Sequence, residues 1–260
     1  MLIFSILLVL ILGLSIGSFI NCFVWRLHAQ KRVDGRSMCP KCKVQIDWYD
    51  NVPVLSYVWL KARCRHCKKS ISWQYPVVEL ATGALFVLFF LLRHDHIFLN
   101  YNAVAFVALF RDFFIIAVLV VIFIYDLKYY LILDKVTLPA IVLIFGLNLL
   151  TGASWSGMLI SAIIGGSFFL IQFIVSSGRW IGGGDIRLGF LMGMILGWPN
   201  ILAALFISYI LGSIIGVALI SMKKKKMDSE VPFGVFLTFS TVITMLWGSE
   251  LINWYVGLLY

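Results

Sequence analysis

The chain has 260 residues, of which 62% are hydrophobic and only 13% charged; a soluble domain carries about 25% charged residues, so that class is excluded. The net charge of +9 sits in the polar segments between apolar runs. It therefore reads as membrane topology and not as a nucleic-acid-binding face.

A bilayer span needs about 20 mainly apolar residues, and about eight segments qualify, at roughly 2–25, 77–92, 104–125, 132–150, 156–176, 186–199, 201–222 and 235–258. The expected fold is an all-α polytopic membrane protein of about eight transmembrane helices with a small cytosolic insertion. The first segment has no basic residue before Arg26. It is too long and wrongly flanked for a cleavable signal peptide, and is read as a retained span. Cys22, inside it, reads as a small buried apolar residue.

Three parts follow along the chain: a first helix at 1–25, a polar insertion at 26–76, and a helical bundle at 77–260. The insertion holds Cys39-Pro40-Lys41-Cys42 and Cys64-Arg65-His66-Cys67. A CxxC pair puts two thiolates on one tight turn, and two such turns supply the four corners of a tetrahedron with no position left for water. The insertion is too small to rely on its own apolar core, so a staple is expected. Two disulfides or four free thiols are the alternatives to a structural Zn2+ held by Cys39, Cys42, Cys64 and Cys67. Six basic residues flank the cysteines (Lys41, Lys43, Arg63, Arg65, Lys68 and Lys69) and offset the charge of a four-thiolate zinc centre.

The second and sixth spans are short. The third is interrupted by Arg111 and Asp112, so its start lies at 104 or as late as Phe113. With the N-terminus outside and the loops numbered alternately, all of the 21 basic residues except Arg93 and Arg111 fall on the inside. The positive-inside rule then places both termini outside and the cysteine loop in the cytosol, a reducing compartment that favours metal over disulfides. Lys223–Lys226 reads as a topology anchor.

Acidic residues in or beside spans are costly and are functional candidates. Asp112 and Glu250 fall on the outer half, and Glu79 begins the second span. Asp126, Asp134 and Asp185 share the inner face. Two carboxylates brought together share one proton; the ionised one can deprotonate a water while the other protonates a carbonyl. The plainer alternative is helix capping, or pairing of Asp126 with Lys128 and of Asp134 with Lys135. Asp185 follows Gly182, Gly183 and Gly184. Three glycines permit φ > 0 and close backbone approach, and leave an edge on which an extended peptide can lie.

Taken in order, these residues resemble the type IV prepilin peptidases, also called bifunctional leader peptidases and N-methyltransferases. The resemblance is carried by Gly17-Ser18-Phe19-Ile20-Asn21 with Arg26, by the two CxxC pairs with Asn51-Val52-Pro53-Val54-Leu55-Ser56-Tyr57 between them, and by Tyr75-Pro76-Val77-Val78-Glu79. It continues through Asp126-Leu127-Lys128, Leu131-Ile132-Leu133-Asp134, Gly182-Gly183-Gly184-Asp185-Ile186-Arg187-Leu188 and Pro232-Phe233-Gly234. The segment from Gly182 to Leu188 matches the GxGD motif of intramembrane aspartyl proteases. The chain departs from the family at Leu133 and Val235, where proline is usual, and at Arg187, where lysine is usual.

The resemblance implies that Asp126 and Asp185 are catalytic and that Asp134 is a non-catalytic acidic position; Gly182, Gly183 and Gly184 are expected to hold the substrate peptide extended. It implies prepilins or pseudopilins as substrates, cleavage on the cytosolic side of a bacterial inner membrane, and S-adenosylmethionine as donor for methylating the new N-terminus. No Gly-rich cofactor loop of the soluble kind is present. The alternatives are a polytopic carrier, whose carboxylates belong near the bilayer midplane, and a zinc-module membrane scaffold without peptidase activity.

Overall fold

The computed structural model describes residues 2–94, 102–222 and 231–258; the Lys223–Lys226 run lies outside them. Two compact units divide the chain, Met1–Asn100 and Tyr101–Tyr260.

The first unit contains α1 (Leu2–His28), α2 (Leu55–Trp59) and α3 (Gln74–Arg93), with a 3-10 turn at Trp48–Asn51. α1 and α3 pack backbone to backbone through small residues. A Cβ at Gly13 would lie 2.7 Å from the Gly83 Cα, and one at Gly17 would lie 2.7 Å from the Glu79 Cα. Between apolar helices in lipid, such close approach is the main source of attraction, since burial of apolar surface supplies little. Polar ties then lead the chain out of α1. The buried Arg26 guanidinium donates to the carbonyls of Val33, Asp34 (2.9 Å), Gly35 (2.8 Å) and Arg36 (3.0 Å). Asn21 Nδ2 donates to the Tyr75 carbonyl at 3.1 Å, and Gln74 Nε2 returns a bond to Asn21 Oδ1 at 3.2 Å.

The second unit contains α4 (Ala103–Tyr129), α5 (Asp134–Leu150), α6 (Trp155–Ser176), α7 (Gly183–Leu196), α8 (Asn200–Ser221) and α9 (Phe233–Gly257). Every apolar run read as a span is helical. Six helices, α1, α3, α4, α6, α8 and α9, are long and apolar enough to cross a membrane. The other two are shorter: α5 has 17 residues and α7 has 14. The run expected at 186–199 ends early because Gly197 takes φ +68° and Pro199 follows. No sheet occurs among the described residues, only isolated bridges at Met38–Gln45 and Arg63–Ser70.

α4 begins at Ala103, capped by the Asn102 side chain on the Val104 N–H (2.9 Å), and runs unbroken through Arg111 and Asp112. The charges are tolerated because they satisfy each other. Asp112 is fully buried, and Arg111 donates to its Oδ1 at 2.8 and 2.9 Å. Arg111 also reaches Asn148 Oδ1 (3.2 Å) and Thr151 Oγ1 (3.1 Å), while Asn148 Nδ2 donates to the Met194 carbonyl (2.9 Å). This network ties the start of α4 to the ends of α5 and α7, at the end of the unit opposite Asp126.

The tightest helix pair is α6 with α7. A Cβ at Gly193 would fall 2.6 Å from the Ala162 Cα, and one at Gly189 would fall 2.8 Å from Phe169 Cε2. Gly193→Val is expected to destabilise the unit by about 1–3 kcal/mol through overpacking. Gly146, inside α5 with open space around it, is the control: Gly146→Ala is expected to stabilise by about 0.5–1 kcal/mol from helix propensity. Thermal unfolding of the two variants in detergent checks both signs.

Candidate active site and metal centre

At one end of the second unit, three helix termini converge. Asp126 lies in the last turn of α4 and is 4% exposed. Its Oδ2 accepts the backbone N–H of Val235 at 3.1 Å, in the first turn of α9, and the backbone of Gly234 also bonds to it. Asp185 is in the first turn of α7, and its Oδ2 accepts the Gly182 N–H at 3.1 Å. Each carboxylate is thus met by backbone N–H groups at a helix N-terminus, where orphan donors and the helix dipole favour negative charge. The two carboxylates stand at the same end of the unit, one closing α4 and the other opening α7.

The spacing between these termini is set by Ile132, in the short link from α4 to α5. A Cβ at Gly184 would lie 2.8 Å from Ile132 Cβ, and one at Gly234 would lie 3.1 Å from Ile132 Cδ1. The same Cβ at Gly234 would lie 2.9 Å from Asp126 Oδ2, so glycine is required where α9 approaches the carboxylate. Next to Gly234, Phe233 packs 5.0 Å from the Tyr209 ring, whose hydroxyl donates to Gln172 Oε1 at 2.8 Å.

The three glycines serve different ends. None adopts positive φ. Gly182 is extended and caps α7, and Gly183 and Gly184 are already helical. Gly184 is needed for contact with Ile132, while a Cβ at Gly183 would meet nothing within 4 Å. Asp134 neither caps α5 nor pairs with Lys135. The cap is Leu133, and Asp134 forms an ion pair with Arg187, two residues beyond Asp185.

In the first unit, the ligand sulfurs of Cys39, Cys42, Cys64 and Cys67 all lie within 4.8 Å of one another, and none forms a disulfide. The two knuckles fold alike. The Cys39 N–H donates to the Val44 carbonyl and the Lys43 N–H back to Cys39 (both 2.9 Å). In the second knuckle the Cys64 N–H donates to Lys69 (2.9 Å) and the Lys68 N–H to Cys64 (3.0 Å). Lys43 and Lys68 occupy the same left-handed position, at φ 62° and 55°. Lys41 Nζ crosses between the knuckles to the Ser70 carbonyl at 2.8 Å. Burial raises the Cys39 pKa. Hydrogen bonds from the backbone of Cys42 and Lys41, and from the Cys42 and Cys64 thiols, outweigh burial and lower it to about 7. Such a set of converging thiols could hold a metal ion. Cys22 stands apart from it, half-buried and lining a cavity beside Ser18 and Arg26.

Residues 11–92 match the bacterial peptidase A24 N-terminal domain, and residues 113–217 match the type IV leader peptidase family. The prepilin leader peptidase/N-methyltransferase of Aeromonas salmonicida (strain A449) is 30% identical over 96% of this chain and 93% of its own length. The chain belongs to the type IV leader peptidase family. Proteins of the same name from Burkholderia pseudomallei (strain K96243) and Bacillus subtilis (strain 168) are 31% and 28% identical, over 92% and 95% of this chain and 84% and 96% of theirs. No solved structure matches the chain.

In this member of the leader peptidase family, the sequence reading named both aspartates but not their backbone donors. Gly234 closes the Pro-Phe-Gly motif and Val235 follows it, and neither position signals a role by itself. A hydrogen bond between residues 109 positions apart leaves no local signal; the glycine at the start of an apolar run is the only hint. Ile132 carries none. The cysteine cluster makes a direct prediction: the purified protein is expected to carry one metal ion per chain, and Cys64→Ser well below that with lower thermal stability. Metal analysis of the purified protein, beside Cys22→Ser as a control that keeps its metal, checks this.

Proposed function

We propose that the chain is a membrane aspartyl endopeptidase that removes the leader peptide of type IV prepilins or pseudopilins, and that Asp126 and Asp185 are its catalytic pair. The observation that carries this reading is the convergence of two carboxylates from different helices on one end of the unit, each held by helix N-terminal amides. One carboxylate, ionised, takes a proton from water as the oxygen attacks the scissile carbonyl carbon. The other, protonated, donates its proton to the carbonyl oxygen. Collapse of the tetrahedral intermediate returns that hydroxyl proton and transfers a proton to the departing amine. The exchange is balanced, with one water consumed and one peptide bond broken.

A carrier reading is less well supported. The Asp126/Asp185 end of the unit is opposite the Arg111–Asp112 network, so these carboxylates belong near one membrane face and not at the midplane. The distribution of Lys and Arg supports a cytosolic position for that face, with both termini outside and the cysteine insertion inside. The four cysteines are read as holding a structural Zn2+: a tetrahedral four-thiolate site with bonds of about 2.3 Å leaves no position for substrate or water. Methylation of the new N-terminus is taken from the name the relatives share. S-adenosylmethionine would supply the methyl group as an electrophile to the free amine. Gly182–Gly184 are proposed to receive the extended peptide, with Gly183, which has open space around its Cα, as the point of closest approach.

Four variants test the assignment, with prepilin processing followed by intact mass. Asp126→Asn and Asp185→Asn are each expected to lower cleavage by about 10³-fold or more, since each removes one half of the acid–base pair. Wild-type rates in either variant would move the active site elsewhere. Gly234→Ala, which pushes on Asp126, is expected to lower kcat by about 10²-fold, the cost of a displacement on the order of 1 Å. Gly183→Val is expected to raise KM about tenfold while leaving kcat and thermal stability nearly unchanged, the pattern of lost substrate binding. A mass gain of one methyl group on the cleaved product establishes the second activity.

A further inference from the structure

The insertion between α1 and α3 is polar in composition, yet its short helix α2 presents Leu55, Val58 and Trp59 at 66%, 68% and 82% exposure. Positions i, i+3 and i+4 share one helical face, so these three form a single apolar stripe turned away from the rest of the unit.

The depth of that stripe is fixed by two ties. First, the Val54 N–H, immediately before α2, donates to Glu79 Oε2 at 2.7 Å. Glu79 is the sixth residue of α3, about 7.5 Å along the helix from its start. Val54 itself takes φ 62°, an uncommon backbone for a β-branched residue, so this junction is held by its surroundings. Second, Asn51 and Pro53 line a cavity together with Phe19, Cys22 and Arg26 of α1. The chain just ahead of α2 therefore lies beside the closing turns of one membrane helix and the opening turns of the other. At that level Phe19, Val77 and Leu80 are themselves exposed, as lipid-facing side chains are.

Beside the stripe is a cleft lined by Trp59, Lys61, Arg63, Arg65 and Lys68. Arg65 is engaged by Asp50 at 2.6 Å. The side chains of Lys61, Arg63 and Lys68 make no hydrogen bond or ion pair among the described residues, and all three are exposed. A tryptophan on an apolar stripe, flanked by unpaired cations at the end of membrane helices, is the arrangement that suits a headgroup layer carrying negative charge.

We propose that α2 is an interfacial anchor: Leu55, Val58 and Trp59 lie in the boundary between headgroups and acyl chains, and the cleft of Lys61, Arg63 and Lys68 binds the phosphate of an anionic phospholipid. The insertion is thereby fixed against the bilayer surface at a third point besides its two membrane helices. This inference is independent of the proteolytic reading.

The test uses the full chain in lipid nanodiscs. The emission of Trp59 is isolated as the difference between wild type and Trp59→Phe, with bound metal measured in both as the control for folding. That emission is expected to be quenched several-fold more by lipids carrying a doxyl group just below the headgroup than by aqueous iodide. In native mass spectrometry, Lys61→Gln/Arg63→Gln/Lys68→Gln is expected to retain fewer phosphatidylglycerol molecules than wild type, with phosphatidylcholine retention unchanged. Iodide quenching of Trp59 without doxyl quenching would overturn the anchor. Equal phosphatidylglycerol retention would overturn the lipid cleft. Protection of Trp59 from iodide only when a prepilin is added would replace the lipid by a protein partner.

Discussion

A carboxylate at membrane depth has to find donors, because the hydrocarbon supplies none. In the second unit those donors are backbone N–H groups at the starts of α7 and α9, four-fold orphaned by helix geometry and otherwise equally in need of partners. One requirement answers the other. Asp126 is held from across the chain by Gly234 and Val235, and Asp185 is held by its own cap at Gly182. Much of the surrounding sequence follows from this. Gly234 leaves room for the approach, Gly184 lets Ile132 sit between the termini, and the opposite ends of the helices are pinned by the Arg111, Asp112 and Asn148 network.

The first unit meets the same constraint differently. α1 and α3 approach at glycines, and the polar chain that leaves them is held by side chains of the helices themselves: Arg26 on four successive carbonyls, Asn21 on Tyr75 and Glu79 on Val54. Beyond those ties the insertion has no large core, and two matching turns bring four sulfurs together in its place. Both units thus rely on a few directed polar interactions where a soluble domain of similar size would use apolar burial.

Hydropathy made the helices legible, because eight apolar runs have few other ways to satisfy their backbones in lipid. The cysteine spacing was legible for a similar reason: two CxxC turns have one simple way to converge. Where the reading failed, a long-range partner was responsible. Arg111 and Asp112 looked like an interruption of the third span because hydropathy counts the cost of a charge and not the neighbour that neutralises it. Asp134 looked paired within its own segment, whereas its partner is Arg187, 53 positions away. The shortness of α7 was legible, but its position was not: the helix starts at Gly183 and Gly197 ends it one turn before the apolar run does. The carboxylates themselves could be picked by cost and by resemblance, but nothing local pointed to the amides that hold them.

The length of α7 carries a mechanical consequence. At 14 residues it measures about 21 Å, against a hydrocarbon thickness of about 30 Å. Its far end is held by the Met194 carbonyl to Asn148, and Asp185 stands in the first turn at the other end. A bilayer meeting so short an element thins locally or admits headgroups and water into the dimple. Hydrolysis inside a greasy protein has a supply problem, since its second reactant is the solvent that the fold excludes. A helix this abbreviated, with Asp185 in its first turn, leaves the aqueous phase a shorter way to that carboxylate than a full-length span would.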